Sequence, residues 1–343
     1  MSHFGLLLPH FGESANAERI VVGARLAESA GFDAVWVRDH LIFSPHSEFE
    51  KPDANFLEAL TVLTAVGAST DRILLGTAAL IPFRHPIQTA LVVSTMTQFF
   101  GPRVILGFGC GNARREFDAI GLGDVSRIDL VVTHVRIMRK LWTEPHVSWH
   151  DENLNFDDVT LEPRPTGEKV PVLYCGSSPR GARIGAVAPF DGWMPGRIPL
   201  ETLRVRVASI EAISSAEEGR TGGRAVIGIV PVTSLASSRE EALSEVNLPG
   251  LLDTANRARF WVKPSSGRFE TADDLAGMLL CGTPDDVTEQ TIQLLEAGVD
   301  HVVFDFRMSF GRWEEQISVL AREVISNLRA WPQQGRAALT PGS

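Results

Sequence analysis

The stretch that decides the fold is residues 283–305, TPDDVTEQTIQLLEAGVDHVVFD. Thr283 suits a helix N-cap, and the proline and two acids after it suit the first helical turn. Gly298 stands where a residue with left-handed backbone would end that helix. The apolar run at 301–305 then has the length and composition of a buried strand. The stretch is therefore predicted to be one amphipathic helix followed by one strand.

The same alternation of short apolar strands and amphipathic helices runs back to the start of the chain. The predicted strands are 4–8, 34–37, 73–80, 104–108, 170–174, 192–194, 225–232 and 301–305. Helices are predicted at about 17–30, 56–69, 86–100 and 128–141, and a last one after residue 312. Eight strand-then-helix units in series predict an α/β protein whose parallel sheet closes into a (β/α)₈ TIM barrel.

Two segments do not fit the simple alternation. Residues 147–161 alternate polar and apolar side chains around Asp151, which predicts a β-hairpin inserted before strand five. Residues 234–283 are too long for a turn and are interpreted as a lid-like insertion after strand seven. We therefore expect one barrel domain at 1–332 with the insertion at about 234–283, and a mobile Gly/Pro/Ala-rich tail at 333–343.

Composition and charge exclude several classes of function. The 343 residues carry a formal net charge of −10, with 44% hydrophobic and 22% charged residues. Nothing basic stands out that would bind nucleic acid or an anionic membrane. No apolar run approaches the length of a membrane span, and no signal peptide is evident. The three cysteines show no metal-ligand or disulfide spacing, which favours the reducing cytoplasm.

In this type of barrel the chemistry is expected just after the carboxyl end of each strand. That rule selects residues behind strands two, three, four and five. They are Asp39 and His40; Thr77, Ala78 and Ala79; Gly109, Gly111 and Asn112; and Gly176, Ser177 and Ser178. No clustered acids and histidines predict a metal site.

Each of these groups has a functional and a structural interpretation. Ser178 would cap the helix that begins at Pro179, which can serve an anion site or be an ordinary cap. The glycine run 107–111 would let a flat ring approach the backbone, or would only clear a neighbouring strand. His40 could act as a general acid or base, or be a satisfied structural histidine.

Beyond these local signals, the chain resembles the bacterial-luciferase-like monooxygenase superfamily, which includes FMN-dependent monooxygenases and coenzyme F420-dependent oxidoreductases. The resemblance covers roughly residues 3–330. The matching segments are 30–36 (AGFDAVW), Asp39-His40, 75–80 (LGTAAL), His85-Pro86, the run 107–111, Arg115-Glu116-Phe117 with Gly121, 141–144 (LWTE), 159–163 (VTLEP), 192–195 (GWMP) and 297–301 (AGVDH).

The resemblance implies a barrel that is often dimeric, with an insertion after strand seven. It implies that His40 lies over the isoalloxazine or deazaflavin ring, and that a non-proline cis peptide at about Ala78–Ala79 backs that ring. The turn Gly176-Ser177-Ser178 would hold the cofactor phosphate. Apart from the resemblance, we predict that Asn112 hydrogen-bonds the ring or the substrate. His40 and Asn112 are thus the expected catalytic residues.

Two departures from the superfamily's patterns bear on the cofactor and the reaction. Sugar dehydrogenases that use F420 carry a Trp four residues after the His and a Glu after the glycine run, where this chain has Ser44 and Asn112. Luciferase subunits carry an Arg near the position of Cys110. The segment 39–41 (DHL), the helix start at 56–61 and the glycine run favour F420 over FMN.

The predicted function is F420-dependent hydride transfer to or from a small organic substrate. The alternative is an FMN-dependent two-component monooxygenase, in which a separate reductase supplies reduced flavin. The chain shows no Rossmann unit to bind NAD(P)H itself, which suits both versions, and a separate flavin or F420 reductase is expected as a partner. A non-catalytic flavin-binding protein and a metal-dependent hydrolase are the lesser alternatives. A cytoplasmic homodimer is expected.

Overall fold

A computed structural model describes residues 2–42, 55–167, 169–216 and 224–331. The strands are β1 (His3–Leu7), β2 (Ala34–Val37), β3 (Leu74–Leu80), β4 (Val104–Gly109), β5 (Val147–His150), β6 (Asn155–Val159), β7 (Val172–Cys175), β8 (Gly192–Trp193), β9 (Val226–Ile229), β10 (Val232–Leu235), β11 (Leu279–Gly282) and β12 (His301–Phe304). Ser44 and the predicted tail at 333–343 lie outside the described residues.

The helices lie between these strands or after the last of them. They are α1 (Ala17–Ser29), α2 (Ala59–Gly67), α3 (Pro86–Phe100), α4 (Arg114–Asp118), α5 (Arg127–Thr143), α6 (Pro179–Gly185), α7 (Leu200–Ala216), α8 (Arg239–Ser244), α9 (Leu248–Arg257), α10 (Pro284–Glu296), α11 (Trp313–Val319) and α12 (Ser326–Ala330), the last two joined by a π-helical segment, Leu320–Ile325. Among the described residues, no helix is long and apolar enough to cross a membrane.

Eight of the strands close into a barrel in the order β1-β12-β9-β8-β7-β4-β3-β2. Every neighbouring pair in the barrel is parallel. The predicted (β/α)₈ TIM barrel is therefore confirmed. The β-hairpin before strand five of the barrel is also confirmed, as the antiparallel pair β5 and β6.

The helix and strand with which the sequence argument began form as predicted. Thr283 and Asp286 make a reciprocal capping box at the start of α10: the Thr283 hydroxyl accepts from the Asp286 N–H at 3.3 Å, and a carboxylate oxygen of Asp286 accepts from the Thr283 N–H at 2.8 Å. Gly298 follows the helix with φ of +95°. A side chain at Gly298 would be strained in this conformation, so the chain turns cleanly into β12.

The predicted strand at 225–232 is wrong at its carboxyl end. The barrel strand β9 stops at Ile229, and the chain re-enters a separate two-stranded sheet as β10, which pairs in parallel with β11. Pro231 lies between the two strands, and a proline has no N–H to continue the barrel's ladder. The insertion therefore begins about two residues earlier than predicted.

The insertion from β10 to β11 forms a small core of its own beside the barrel. Its buried side chains include Val232, Leu251, Leu275 and Met278. It is tied to the carboxyl end of β12 by a bridge between Val232 and Asp305. That it closes over the site as a lid stays a prediction.

The inside of the barrel is packed rather than open. Trp36 occupies the space that side chains at two glycines would need: a Cβ at Gly76 would lie 2.3 Å from its ring, and one at Gly5 would lie 2.7 Å from Nε1. The same Nε1 donates to His301 Nε2 at 3.0 Å. Burial lowers the pKa of His301 well below its usual value, which agrees with a neutral ring that accepts this bond. The barrel thus supplies a rigid support for its carboxyl end.

Candidate functional site

A cavity of about 330 Å³ opens at the carboxyl ends of the barrel strands. That volume lies within the range of about 300–1,000 Å³ that small-molecule sites occupy. The described wall residues are Arg38, Asp39, His40, Ala78, Ala79, Ile81, Gly109, Cys110, Gly111, Asn112, Glu116, Cys175, Gly176, Ser177, Met194, Pro195, Gly196, Arg197, Val230 and Arg307. The cavity therefore lies where barrel enzymes place their chemistry.

His40 lies on the cavity wall, and a buried carboxylate orients its ring. Both carboxylate oxygens of Glu116 lie 3.2 Å from His40 Nδ1. One of them, Oε1, also accepts the backbone N–H groups of Leu41 at 2.8 Å and Ile42 at 2.9 Å. On the other side of the ring, Arg38 Nη2 lies 3.5 Å from His40 Nε2.

Glu116 is ionised despite being 1% exposed. Burial by itself would raise the pKa of Glu116, but the hydrogen bond from His40, the backbone N–H groups of Ile42 and Leu41 and the charge of His40 outweigh it. The net result is that the pKa lies below its usual value. Since a carboxylate can only accept, the hydrogen in the His40 contact must sit on Nδ1.

Asp39 lines the cavity, but its carboxylate is committed to holding the end of β3. It accepts two hydrogen bonds from Arg84, at 2.7 and 2.9 Å, and one from the Ile81 N–H at 3.0 Å. The Asp39 side chain is fully buried. The arrangement anchors the segment that follows β3 and so sets the position of this part of the wall.

The end of β3 contains the non-proline cis peptide that the resemblance implies. The Ala78–Ala79 peptide bond is cis, and both residues lie on the cavity wall. Thr77 behaves differently from its neighbours: it is fully buried, its hydroxyl donates to the Gly107 carbonyl at 2.9 Å, and it is not among the wall residues described. The structure therefore gives Thr77 the role of tying β3 to β4.

The glycine run serves both interpretations of the sequence. A Cβ at Gly107 would lie 2.2 Å from the Thr77 carbonyl oxygen, so this glycine clears a neighbouring strand. A Cβ at Gly109 would lie 2.9 Å from the Ala79 Cβ and 3.2 Å from the Cys175 carbonyl oxygen. Gly109 and Gly111 also line the cavity. Together with Ala78 and Ala79 they present a wall of backbone and methyl groups, which a flat ring fits.

The turn after β7 divides into wall residues and a helix cap. Gly176 and Ser177 line the cavity, and Asn112 faces it from the turn after β4. Ser178 is not among the described wall residues. Its hydroxyl accepts the Gly181 N–H at 3.0 Å and caps α6.

Sequence reasoning missed several wall residues with chemical character. Glu116 belongs to the segment Arg115-Glu116-Phe117 that matches the superfamily. No local sequence signal connects Glu116 with His40, which lies 76 residues earlier in the chain. Three arginines also line the cavity, Arg38, Arg197 and Arg307. Arg38 and Arg307 stack over the same Phe11 ring, with guanidinium carbons 4.8 and 5.7 Å from its centre.

The Cys175 thiol on the wall is not activated. Burial raises the pKa of the Cys175 thiol, and the nearby Cys110 raises it further. Cys175 is therefore protonated at neutral pH and is a poor nucleophile. No group of three or more His, Cys, Asp or Glu side chains that could hold a metal ion occurs in the part of the chain that the structure describes.

Comparison with known proteins agrees with this geometry. The chain is 25% identical over 339 residues to the FMNH(2)-dependent dimethylsulfone monooxygenase of Pseudomonas putida, covering 92% of this chain and 89% of the relative. It is 27% identical over 346 residues to the F420-dependent glucose-6-phosphate dehydrogenase of Nakamurella multipartita, covering 95% and 98%.

A solved F420-dependent secondary alcohol dehydrogenase, in complex with an F420–acetone adduct, shares the fold. It superposes with a TM-score of 0.78 at 20% identity, covering 95% of this chain and 98% of that one. The profile of the family described as "Luciferase-like monooxygenase" matches residues 2–301. The chain belongs to the luciferase-like monooxygenase family and is an oxidoreductase of the flavin- or F420-dependent type.

Proposed function

We propose that the protein uses coenzyme F420 to transfer hydride to or from a small organic substrate. The observation that carries the proposal is the pairing of a flat wall, made by Ala78, Ala79, Gly109 and Gly111, with an oriented His40 on the same cavity. The bound cofactor would supply the hydride chemistry, while this chain supplies position and electrostatics.

Each part of the wall then has a proposed task. His40 exchanges a proton with the ring or the substrate, and Asn112 hydrogen-bonds one of them. Asp39 acts through Arg84 and Ile81 as a positioning residue for the wall. Gly176, Ser177 and the helix cap Ser178 lie at the proposed phosphate end.

Two similar relatives with different cofactors keep the FMN alternative in place. One relative is named for FMNH(2) and oxygenation and the other for F420 and dehydrogenation. In the FMN version, the same His40 and wall would serve a two-component monooxygenase supplied by a separate flavin reductase. The position of Asn112, where an acid is found in F420-dependent sugar dehydrogenases, argues against sugar oxidation by that acid–base scheme.

Turnover assays separate these versions. We expect substrate-dependent oxidation of reduced F420 across a panel of enones and imines, and no oxygen uptake with reduced FMN. Oxygen uptake that requires both reduced FMN and a substrate would instead support the monooxygenase. Tight cofactor binding with no turnover across the panel would support a non-catalytic flavin-binding protein.

We further propose that the protein is a cytoplasmic homodimer that pairs through α3. This helix exposes apolar side chains to solvent, with Phe99 76%, Leu91 41% and Val92 38% exposed. Residues 92 and 99 are seven apart, or about two helical turns, so they lie on one face of α3, and exposed apolar side chains that share a helix face are typical of an interface. Light scattering should give twice the mass of the chain, and Phe99→Glu should give a monomer that still folds. A wild-type monomer at micromolar concentration would contradict the dimer.

A further inference from the structure

The wall residue that the sequence missed, Glu116, explains how His40 is prepared for proton transfer. We propose that Glu116 is a positioning residue that holds His40 in the tautomer protonated at Nδ1, so that Nε2 is the atom that accepts and returns the proton. The identity of the proton's partner rests on the proposed function. The tautomer is a property of the protein alone.

The geometry of the Glu116 carboxylate favours one tautomer of His40. Oε1 is held by the N–H groups of Leu41 and Ile42, which belong to the same segment as His40. The carboxylate therefore cannot rotate away from the ring, and both oxygens stay 3.2 Å from Nδ1. An oriented acceptor at one ring nitrogen sets the tautomer, because the hydrogen must lie between the two groups.

The opposite side of the His40 ring favours the same tautomer. Arg38 Nη2 lies 3.5 Å from Nε2, and a guanidinium has only donors. It can therefore face Nε2 favourably only if that nitrogen carries a lone pair. The His40 and Phe56 rings also make a T-shaped contact, with a centroid distance of 5.0 Å and an interplanar angle of 82°, which helps to fix the plane of the His40 ring.

The charges around the ring define what happens when a proton moves. When Nε2 accepts a proton, the imidazolium gains the Glu116 carboxylate as a counter-charge at Nδ1, while Arg38 opposes the same step. The proton leaves again from Nε2, and the hydrogen on Nδ1 stays in its bond to Glu116. Glu116 itself neither gains nor loses a proton in this sequence.

The substitution Glu116→Gln makes a sharp test because it should invert the tautomer. The amide oxygen can keep the Oε1 position, where it still accepts from Leu41 and Ile42. The amide NH₂ then takes the Oε2 position and donates to Nδ1. His40 should respond by carrying its hydrogen on Nε2, which gives up the longer 3.5 Å contact with Arg38 in order to keep the shorter 3.2 Å contact at Nδ1. The matched control is Asp118→Asn, the same change of carboxylate to amide on the same helix, at a side chain that is 52% exposed.

The readout is the ¹H–¹⁵N correlation spectrum of ¹⁵N-histidine-labelled protein without cofactor, with His40 assigned from a His40→Gln sample. At pH of about 8, above the ordinary histidine pKa of about 6.5, we expect the Nδ1–H tautomer in the wild type and in Asp118→Asn, and the Nε2–H tautomer in Glu116→Gln. A wild-type His40 with its hydrogen on Nε2 would overturn the proposal even if no variant folds. So would an unchanged tautomer in Glu116→Gln.

Kinetics with the bound cofactor add a second, separate readout. General acid–base catalysis contributes about 10²–10⁴-fold to rate, and an inverted tautomer should forfeit much of it. We expect Glu116→Gln to lower kcat by about 100-fold with KM and cofactor Kd little changed. An unchanged kcat would overturn the catalytic part of the proposal. If no cofactor binds to the wild type, the proposed function fails while the tautomer result still decides the role of Glu116.

Discussion

Gly109 offers the most direct perturbation of the proposed ring wall. In Gly109→Ala, the new Cβ would lie 2.9 Å from the Ala79 Cβ and 3.2 Å from the Cys175 carbonyl oxygen. Carbon atoms prefer separations of about 3.5–4.0 Å, so the first contact is too close by at least half an ångström. Gly109 also pairs with Cys175 in the barrel, which limits how far the strand can move. Overpacking of this size costs about 1–3 kcal/mol of unfolding free energy.

A second substitution identifies the cause of that loss. Ala79→Gly removes the methyl group that the new side chain would strike, but leaves the contact with the Cys175 carbonyl. Measured by urea denaturation, Gly109→Ala should therefore cost less in the Ala79→Gly background, with a coupling of about 1 kcal/mol in the stabilising direction. The control is Gly311→Ala, because a Cβ there meets nothing within 4 Å. Its effect should stay within about 0.5 kcal/mol.

Two outcomes would contradict a clash between Gly109→Ala and the Ala79 methyl group. If Gly109→Ala is as stable as Gly311→Ala, the wall is not tightly packed at this point. If the loss is the same with and without the Ala79 methyl, the clash is not the cause. Either result would remove the structural basis for a ring site between β3 and β4.

Three further predictions concern the stability of the fold and the residues that support the cavity wall. Burial lowers the pKa of His134 to about 4, so the folded state favours the neutral ring, and the stability that this neutral ring contributes is complete above pH of about 6.5 and is lost as the pH falls towards 4. His134→Phe should therefore reduce the loss of unfolding free energy in acid by about 3 kcal/mol. An unchanged dependence of unfolding free energy on pH would contradict this. Arg84→Met should cost about 3 kcal/mol because it leaves the buried Asp39 carboxylate without its bidentate partner, and adding Asp39→Asn should recover part of that loss in urea denaturation. Ser178→Ala should cost about 1 kcal/mol as a lost helix cap and leave cofactor Kd nearly unchanged, whereas a large rise in Kd would show that the hydroxyl also binds the ligand.

The parts of the fold that were predictable depend on local chemistry. The N-cap Thr283, helix α10 and the terminating Gly298 lie within 16 consecutive residues, so the residues that set both helix ends are close to it in sequence. The break between β9 and β10 was also visible as Pro231, but the apolar run continues on both sides of it. Hydrophobicity alone cannot tell one strand from two that enter different sheets.

The parts of the site that were missed depend on contacts between distant segments. The rule that barrel enzymes place their chemistry at the carboxyl ends of the strands located the cavity, but it does not tell which side chains point towards the cavity. Thr77 was expected at the cofactor and instead bonds to Gly107. Glu116 reaches His40 across 76 residues because α4 folds over the end of β2, and no spacing in the chain signals that approach. Such pairs become visible only once the barrel brings the strand ends together.

Calorimetric titration of the purified protein with F420 and with FMN tests whether the wall of Ala78, Ala79, Gly109 and Gly111 binds a deazaflavin ring. We predict that F420 binds more tightly than FMN by about tenfold or more, a difference of about 1.4 kcal/mol. Tighter binding of FMN would contradict the choice of cofactor. If neither binds below about millimolar, equivalent to about 4 kcal/mol, the cofactor site itself is refuted.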